Sequence, residues 1–188
     1  TAQAPLLAST RWDAKGRYSP DGRHVVFQST RSGDHEIWIA DADGSNPLQL
    51  TSLKSNYTRD PYWSPDGQHL LFSTGHDGQA DLYRLQLSTR MLHRLTATRS
   101  DEMEGQASPD GRWIYFRTDR SGASEVWKMP SEGGKAVRVT STPGVAAFAV
   151  PQPGVLYLAY ADQPGLWQFS EETGTELQVV PELGPEDG

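Results

Sequence analysis

Charged side chains recur at matched positions along this chain, and they are the residues best suited to binding chemistry. The positions are counted from a repeated phenylalanine, which is Phe27, Phe72 and Phe116. The basic residues four positions later are Arg31, His76 and Arg120. The acidic residues nine positions later are Glu36, Asp81 and Glu125. Two hypotheses follow. The acids brace a loop by pairing with the basic residue of their own or the next repeat, or the basic residues form a ring that binds an anionic ligand or an acidic partner.

A second group of candidate binding residues lies shortly before each repeated phenylalanine or its turn. These residues are Trp12, Tyr57, Arg59, Asp60, Glu102 and Glu104. Carboxylate oxygens are the ligands that Ca²⁺ prefers, but a complete site needs six to eight oxygens. If the repeats surround a central channel, these carboxylates could hold Ca²⁺ there. Their spacing alone does not predict a complete site, so we expect no cofactor and no metal.

Sequence motifs of catalysis are missing from the chain. There is no G-x-S-x-G elbow, H-E-x-x-H zinc motif, Walker loop or G-x-G-x-x-G turn. Cysteine is absent, which excludes thiolate chemistry and disulfides. The five histidines have no spacing typical of metal ligands. We therefore expect no catalytic residue and a chain that is not an enzyme.

A tetrapeptide repeated three times positions all of these residues. It occurs as Ser19–Gly22, Ser64–Gly67 and Ser108–Gly111, each copy reading Ser-Pro-Asp-Gly. Proline presets φ for the second turn position, aspartate bonds its own backbone, and glycine accepts the positive φ that follows. Because an apolar run follows each copy, each predicts the hairpin between the first two strands of a repeat.

The spacing of the turns predicts a β-propeller. Successive copies are 45 and 44 residues apart, and propeller blades repeat every ~40 to 50 residues. We predict an all-β propeller, or part of one, with four four-stranded antiparallel blades. Their expected limits are residues 12–51, 57–96, 101–140 and 145–180, the last with a degenerate turn at 151–154. Residues 1–11 are expected to supply a strand of a preceding blade, and residues 181–188 a disordered tail.

One run within the first repeat resembles a known family. Residues 27–51, from Phe-Gln-Ser-Thr-Arg-Ser-Gly-Asp through Glu-Ile-Trp to Leu-Gln-Leu-Thr, are similar to the WD40-like repeat of TolB-type β-propellers. The second and third repeats share the turn, an aromatic residue at Tyr83 and Trp127, and a closing threonine. The third departs at 131–134, where Ser-Glu-Gly-Gly replaces Asp-x-Asp-Gly.

The resemblance implies a range of functions. Similar repeats occur in periplasmic TolB, in sensor regions of CadC-type transmembrane transcriptional regulators of bacteria, and in prolyl-oligopeptidase-like peptidases. We expect a non-catalytic protein-interaction or ligand-sensing module that is periplasmic or extracellular, at the cell surface. The alternative is the propeller domain of such a peptidase, or a lyase-type propeller enzyme with a channel metal.

Composition narrows the class of partner. The formal net charge is −7. Because an acidic chain repels the negatively charged phosphate backbone, we expect no nucleic acid partner. No apolar run approaches the ~20 residues of a membrane helix, so we expect no membrane insertion. A protein partner or a small ligand remains. Because propellers normally close into rings that hide their edges, open blade edges favour a homo-oligomer formed through them; the alternatives are a segment of a longer propeller and a closed four-bladed monomer.

Overall fold

Sixteen β-strands and no helix make up the part of the chain described by the computed structural model, residues 10–76 and 79–180. The first sheet contains β1 (Asp13–Tyr18), β2 (His24–Ser29), β3 (Glu36–Asp41) and β4 (Leu48–Gln49). The second contains β5 (Thr58–Trp63), β6 (His69–His76), β7 (Gln79–Gln86) and β8 (Leu92–Arg94). The third contains β9 (Glu102–Ala107), β10 (Trp113–Thr118), β11 (Glu125–Pro130) and β12 (Val137–Arg138). The fourth contains β13 (Val145–Gln152), β14 (Val155–Tyr160), β15 (Leu166–Ser170) and β16 (Thr175–Val180).

Each sheet is a simple antiparallel meander in which strands pair in chain order. The prediction of an all-β fold of four four-stranded antiparallel blades is therefore confirmed. The strand predicted within residues 1–9 and the tail predicted at residues 181–188 lie outside the described residues.

The repeated turns have the backbone that their residue types require. Gly22, Gly67 and Gly111 stand at φ +71°, +69° and +71°, in the left-handed region that glycine adopts without strain. In the first copy, Gly22 N donates to Ser19 O at 2.9 Å, which closes the turn. Local chemistry thus sets the register of the first two strands in three of the sheets.

Two compact units divide the chain, Thr1–Gly105 and Gln106–Gly188, with the boundary inside β9. In the first unit, the core packs one sheet's middle strands against the next sheet. Its members are Val26, Ile37, Trp63, Leu70, Phe72 and Leu85. In the second unit, the core is larger and more aromatic. Its members are Tyr115, Val126, Val145, Phe148, Val150, Leu156, Leu158, Tyr160 and Phe169.

Candidate functional site

The recurrent acidic residues are buried and hold the closing segment of their own sheet. Glu36 is 1% exposed, and its carboxylate accepts hydrogen bonds from Thr51 Oγ1 at 2.5 Å, Leu53 N at 2.7 Å and Lys54 N at 2.9 Å. Thr51 Oγ1 in turn accepts from Ile37 N at 2.9 Å. The acid therefore ties the start of β3 to the chain that leaves β4.

The other two acids have related contacts that include an arginine of the fourth strand. Asp81 accepts from Thr96 Oγ1 at 3.0 Å and from the guanidinium of Arg94. Glu125 accepts from Arg138 at 3.3 Å, and Thr140 Oγ1 accepts from Val126 N at 3.0 Å. The acids do act as braces. Glu36 and Asp81 bind the closing threonine, Asp81 and Glu125 bind an arginine of the fourth strand, and Glu125 also accepts from Ser121 Oγ at 2.6 Å.

The two recurrent arginines lie across aromatic rings of their own sheet. Arg31 makes a bidentate pair with Asp13, at 3.1 and 2.8 Å, and its side chain is 15% exposed. Its guanidinium carbon lies 5.2 Å from the centroid of Phe27 and 5.9 Å from that of Trp38. Such pairing and stacking fix the position of the guanidinium charge.

Arg120 lies across the equivalent aromatic rings in the second unit. Its guanidinium carbon lies 5.4 Å from the centroid of Phe116 and 4.8 Å from that of Trp127. The side chain of the third basic residue, His76, lies outside what the structure describes. The hypothesis of a basic ring around an anionic ligand therefore stays a prediction.

Trp12 is an exposed aromatic side chain at the start of the first strand. Half of its surface is open to solvent, at 50% exposure. Its ring meets His35 edge-on, with centroids 5.4 Å apart, and its carbonyl accepts a hydrogen bond from Thr30 N at 3.1 Å. The backbone at Trp12 is therefore held by a hydrogen bond, while half of the residue's surface is exposed.

Tyr57 and Arg59 occupy the corresponding place in the second sheet. The Arg59 guanidinium carbon lies 3.8 Å from the Tyr57 ring centroid. The Tyr57 hydroxyl donates to the Met103 sulfur at 2.6 Å. Both side chains are partly exposed, so a cation and an aromatic face are presented together.

Charged residues interrupt the first strand of three sheets with a left-handed backbone. Lys15, Asp60 and Glu104 have φ of +55°, +57° and +57°, a region that costs non-glycine residues energy and is held by surrounding contacts. Asp60 N donates to Gln28 Oε1 at 2.8 Å, and Glu104 N donates to Ser73 Oγ at 3.2 Å. In both bonds the acceptor lies on the second strand of the preceding sheet.

The carboxylates predicted as possible Ca²⁺ ligands have protein contacts of their own. Asp60 Oδ1 lies 3.9 Å from Lys15 Nζ. Glu102 is fully buried and accepts from Thr98 Oγ1 at 2.6 Å. In residues 10–76 and 79–180, no group of three or more histidine, aspartate or glutamate side chains could hold a metal ion.

Sequence reasoning found the exposed aromatic and basic residues of this region and missed their partners. Asp13, which pairs with Arg31, is 18 residues away in sequence, and His35, which contacts Trp12, is not part of the recurrent pattern. The left-handed residue at Lys15 also went unnoticed. Of these three features, only Asp13 could have been suspected from the sequence, because it is a charged residue at the start of a predicted strand.

None of the described residues forms a helix long and apolar enough to cross a membrane.

Comparison with solved structures shows the fold. The chain is similar to TolB from Acinetobacter baumannii, with a TM-score of 0.79 and 22% identity over 94% of this chain and 45% of that one. It is similar to an oligogalacturonate lyase from Vibrio parahaemolyticus, with a TM-score of 0.71 and 12% identity over 94% and 55%. It is also similar to a puromycin-hydrolyzing peptidase of Mycobacterium tuberculosis, with a TM-score of 0.69 and 18% identity over 98% and 31%.

The family follows from a sequence comparison. This chain spans less than two thirds of each of those structures. The family model described as the TolB beta propeller domain matches residues 53–173, which is more than half of the chain. The chain therefore belongs to the TolB β-propeller family.

Proposed function

We propose that this chain is a non-catalytic interaction module that binds a protein partner or a small ligand, in the bacterial periplasm or at the cell surface. The binding region is the loop surface, defined as Trp12, Arg31, Tyr57, Arg59 and Asp60. These residues all belong to the first compact unit. They lie at the ends of the strands opposite the Ser-Pro-Asp-Gly turns.

The observation that carries this proposal is the half-exposed indole of Trp12. Tryptophan, tyrosine and arginine are enriched among the residues that contribute most to binding at protein interfaces, and the two aromatic side chains bury large areas with few rotatable bonds. Here an exposed tryptophan accompanies the stacked pair of Tyr57 and Arg59. This composition is typical of a binding surface.

Preorganisation supports the same proposal. Arg31 is held by Asp13, and Arg59 is held by the ring of Tyr57. A side chain that is already ordered loses less conformational entropy when it binds, which favours affinity. Asp60, near Lys15, adds a carboxylate, so the surface offers both signs of charge.

The remaining predicted binding residues are not part of the loop surface, and they support the proposal less directly. Glu102 is fully buried, so we assign it a supporting role beside Thr98. Glu104 is partly buried at the third left-handed position. In the second unit, the guanidinium of Arg120 stacks on an aromatic ring, as that of Arg31 does in the first. His76 stays a prediction.

Site-specific photo-cross-linking tests the proposal in the cells that produce the chain. A photoreactive phenylalanine analogue replaces Trp12 in one variant and exposed Thr173 in a control variant. We expect irradiation to give a discrete adduct, protein or small molecule, from position 12 alone, as detected by mass spectrometry. Adducts that are equal at both positions, or absent from position 12, would reject the loop surface.

A second measurement addresses the absence of catalysis. The purified chain is expected to leave peptide esters and oligogalacturonate unchanged. Turnover that disappears on mutation of one serine or histidine of this chain would show that the non-catalytic assignment is wrong.

A further inference from the structure

A groove separates the first two sheets at the end that carries the Ser-Pro-Asp-Gly turns. Its volume is about 730 Å³, within the ~300–1,000 Å³ typical of ligand sites. Its wall is formed mainly by Ile39, Leu48, Leu50, Trp63 and Leu87. Because these turns lie at the opposite end of the strands from Trp12 and Arg31, the groove is separate from the loop surface.

Acidic groups dominate the rim of the groove. Asp21, Asp41 and Asp66 line it, together with the guanidinium of Arg90 and the imidazole of His24. A hydrogen bond from Ser19 lowers the pKa of Asp21, and one from Ser64 lowers the pKa of Asp66. Both carboxylates therefore stay charged at neutral pH, beside an apolar wall.

The corresponding place in the second unit is filled by its own side chains. Lys128 Nζ lies 2.7 Å from Glu171 Oε2, and the Tyr115 hydroxyl donates to the same oxygen at 3.2 Å. Lys128 also lies 4.5 Å from the ring centroid of Trp113. An ion pair and two aromatic rings thus bridge the third and fourth sheets.

Strand registers show that these are equivalent positions. Ile39 pairs with Leu48 as Lys128 pairs with Val137. Leu87 N donates to Gln68 O at 3.0 Å and Glu171 N donates to Gly154 O at 2.8 Å, in each case next to the first pair of the two middle strands, His69 with Gln86 and Val155 with Ser170. Ile39 therefore stands where the other unit has Lys128.

Leu87 likewise stands where the other unit has Glu171. The first two sheets carry aliphatic side chains at both positions of the bridging ion pair. No such ion pair therefore crosses the groove at these two positions.

We propose that this groove binds a peptide segment of a partner protein in which basic residues alternate with aliphatic or aromatic ones. Apolar side chains of the segment remove the wall of Ile39, Leu50 and Leu87 from water, which drives binding. Its lysine or arginine side chains meet the carboxylates of the rim, which gives specificity over acidic segments.

Two peptide pools test this chemistry on the full chain. Both contain acetylated, amidated hexapeptides that alternate a charged residue with leucine, isoleucine or phenylalanine. The charged residue is lysine or arginine in one pool and aspartate or glutamate in the other. We expect the basic pool alone to shift the NMR signals of the Ile39, Leu50 and Leu87 methyl groups and the Trp63 indole. No shift, or equal shifts from both pools, would overturn the proposal.

A closing variant tests the site itself. The double substitution Ile39→Lys with Leu87→Glu installs the ion pair that the second unit already carries at these positions. We expect it to weaken binding of the basic pool at least tenfold while the amide spectrum stays dispersed. Unchanged binding by the folded double variant would overturn the proposal.

A milder pair of variants applies if the double variant does not fold. Leu48 is 52% exposed and Val137 is 43% exposed, at equivalent positions of the two units. Leu48→Gln is expected to weaken binding at least threefold, and Val137→Gln to leave it unchanged. Equal effects of the two substitutions would contradict a site in the groove.

Discussion

Each Ser-Pro-Asp-Gly turn is held by hydrogen bonds that its own side chains supply. Ser108 Oγ donates to Asp110 Oδ1 at 2.5 Å and accepts from Trp113 N at 3.0 Å. Asp110 Oδ1 also accepts from Arg112 N at 3.1 Å. The same contacts occur around Ser19 and Ser64. The turn is therefore specified locally, by residues within five positions of one another.

The glycine of the turn provides the first stability prediction. Gly67 stands at φ +69°, with only ordinary contact to Pro20 where a Cβ would lie. Gly67→Ala should lower the free energy of unfolding by about 1–2 kcal/mol, the cost of a left-handed non-glycine residue. The control Gly16→Ala has no such φ and similar space. Urea denaturation showing equal losses for both variants would exclude backbone strain as the cause.

Asp110 predicts a dependence of stability on pH. Its pKa is lowered from 3.8 to about 2 by the hydrogen bond from Ser108 and by those from Arg112. A depressed pKa contributes stability that is present above the unfolded value and is lost as the pH falls through the folded value. The stability advantage of wild type over Asp110→Asn should therefore shrink between pH 4 and pH 2. A constant difference across that range, in denaturant titrations, would contradict this linkage.

At the scale of the element, each of the first three sheets closes through a buried acid and a threonine. In the first sheet, Leu50 N and Thr51 N both donate to Ile37 O, at 2.8 and 3.4 Å. The regular pairing of β3 with β4 therefore ends at this point. Glu36 then binds the departing chain at Lys54, which stands at φ +52°. This contact fixes where the next sheet begins.

Loss of the closing hydroxyl should be costly. Thr51→Val keeps the shape of the side chain but leaves Ile37 N and one oxygen of Glu36 without this partner. Burying unsatisfied groups costs about 1–3 kcal/mol, so the free energy of unfolding should fall by that amount. Thr89→Val, at an exposed hydroxyl, is the control and should change stability little. Equal stability of the Thr51→Val variant and wild type would show that the brace contributes nothing.

The elements could be predicted from sequence because their signals are local. A turn tetrapeptide, an apolar run and a closing threonine each act over a few residues, and their recurrence predicted the first three sheets; the fourth was predicted from its apolar runs and a degenerate turn. The contacts of the site are not local. Arg31 binds Asp13, which is 18 residues away in sequence, and Asp60 binds Gln28, which is 32 residues away. Positive φ at charged Lys15, Asp60 and Glu104 has no residue-type signal either, since glycine would be the expected choice.

At the scale of the whole molecule, association between copies stays a prediction. The last strand, β16, ends the fourth sheet and exposes Leu177 at 67%, Val179 at 38% and Val180 at 49%. Edge strands with exposed apolar residues favour pairing between chains. Light scattering should give twice the chain mass of 20.8 kDa, falling to the single mass in Leu177→Lys. A wild-type chain that remains at the single mass at high concentration would contradict association.

The central claim is that the loop surface binds a partner through its exposed aromatic residue. The first strand offers a matched pair of variants, because it is flanked by Trp12, 50% exposed, and ends at Tyr18, 55% exposed, at the turn end. The measurement is the affinity, by calorimetry, of the partner captured by cross-linking at position 12. Trp12→Ala should weaken binding at least ~10-fold, about 1.4 kcal/mol, while Tyr18→Ala stays within about twofold. Unchanged affinity in Trp12→Ala, or a larger loss in Tyr18→Ala, would contradict the account.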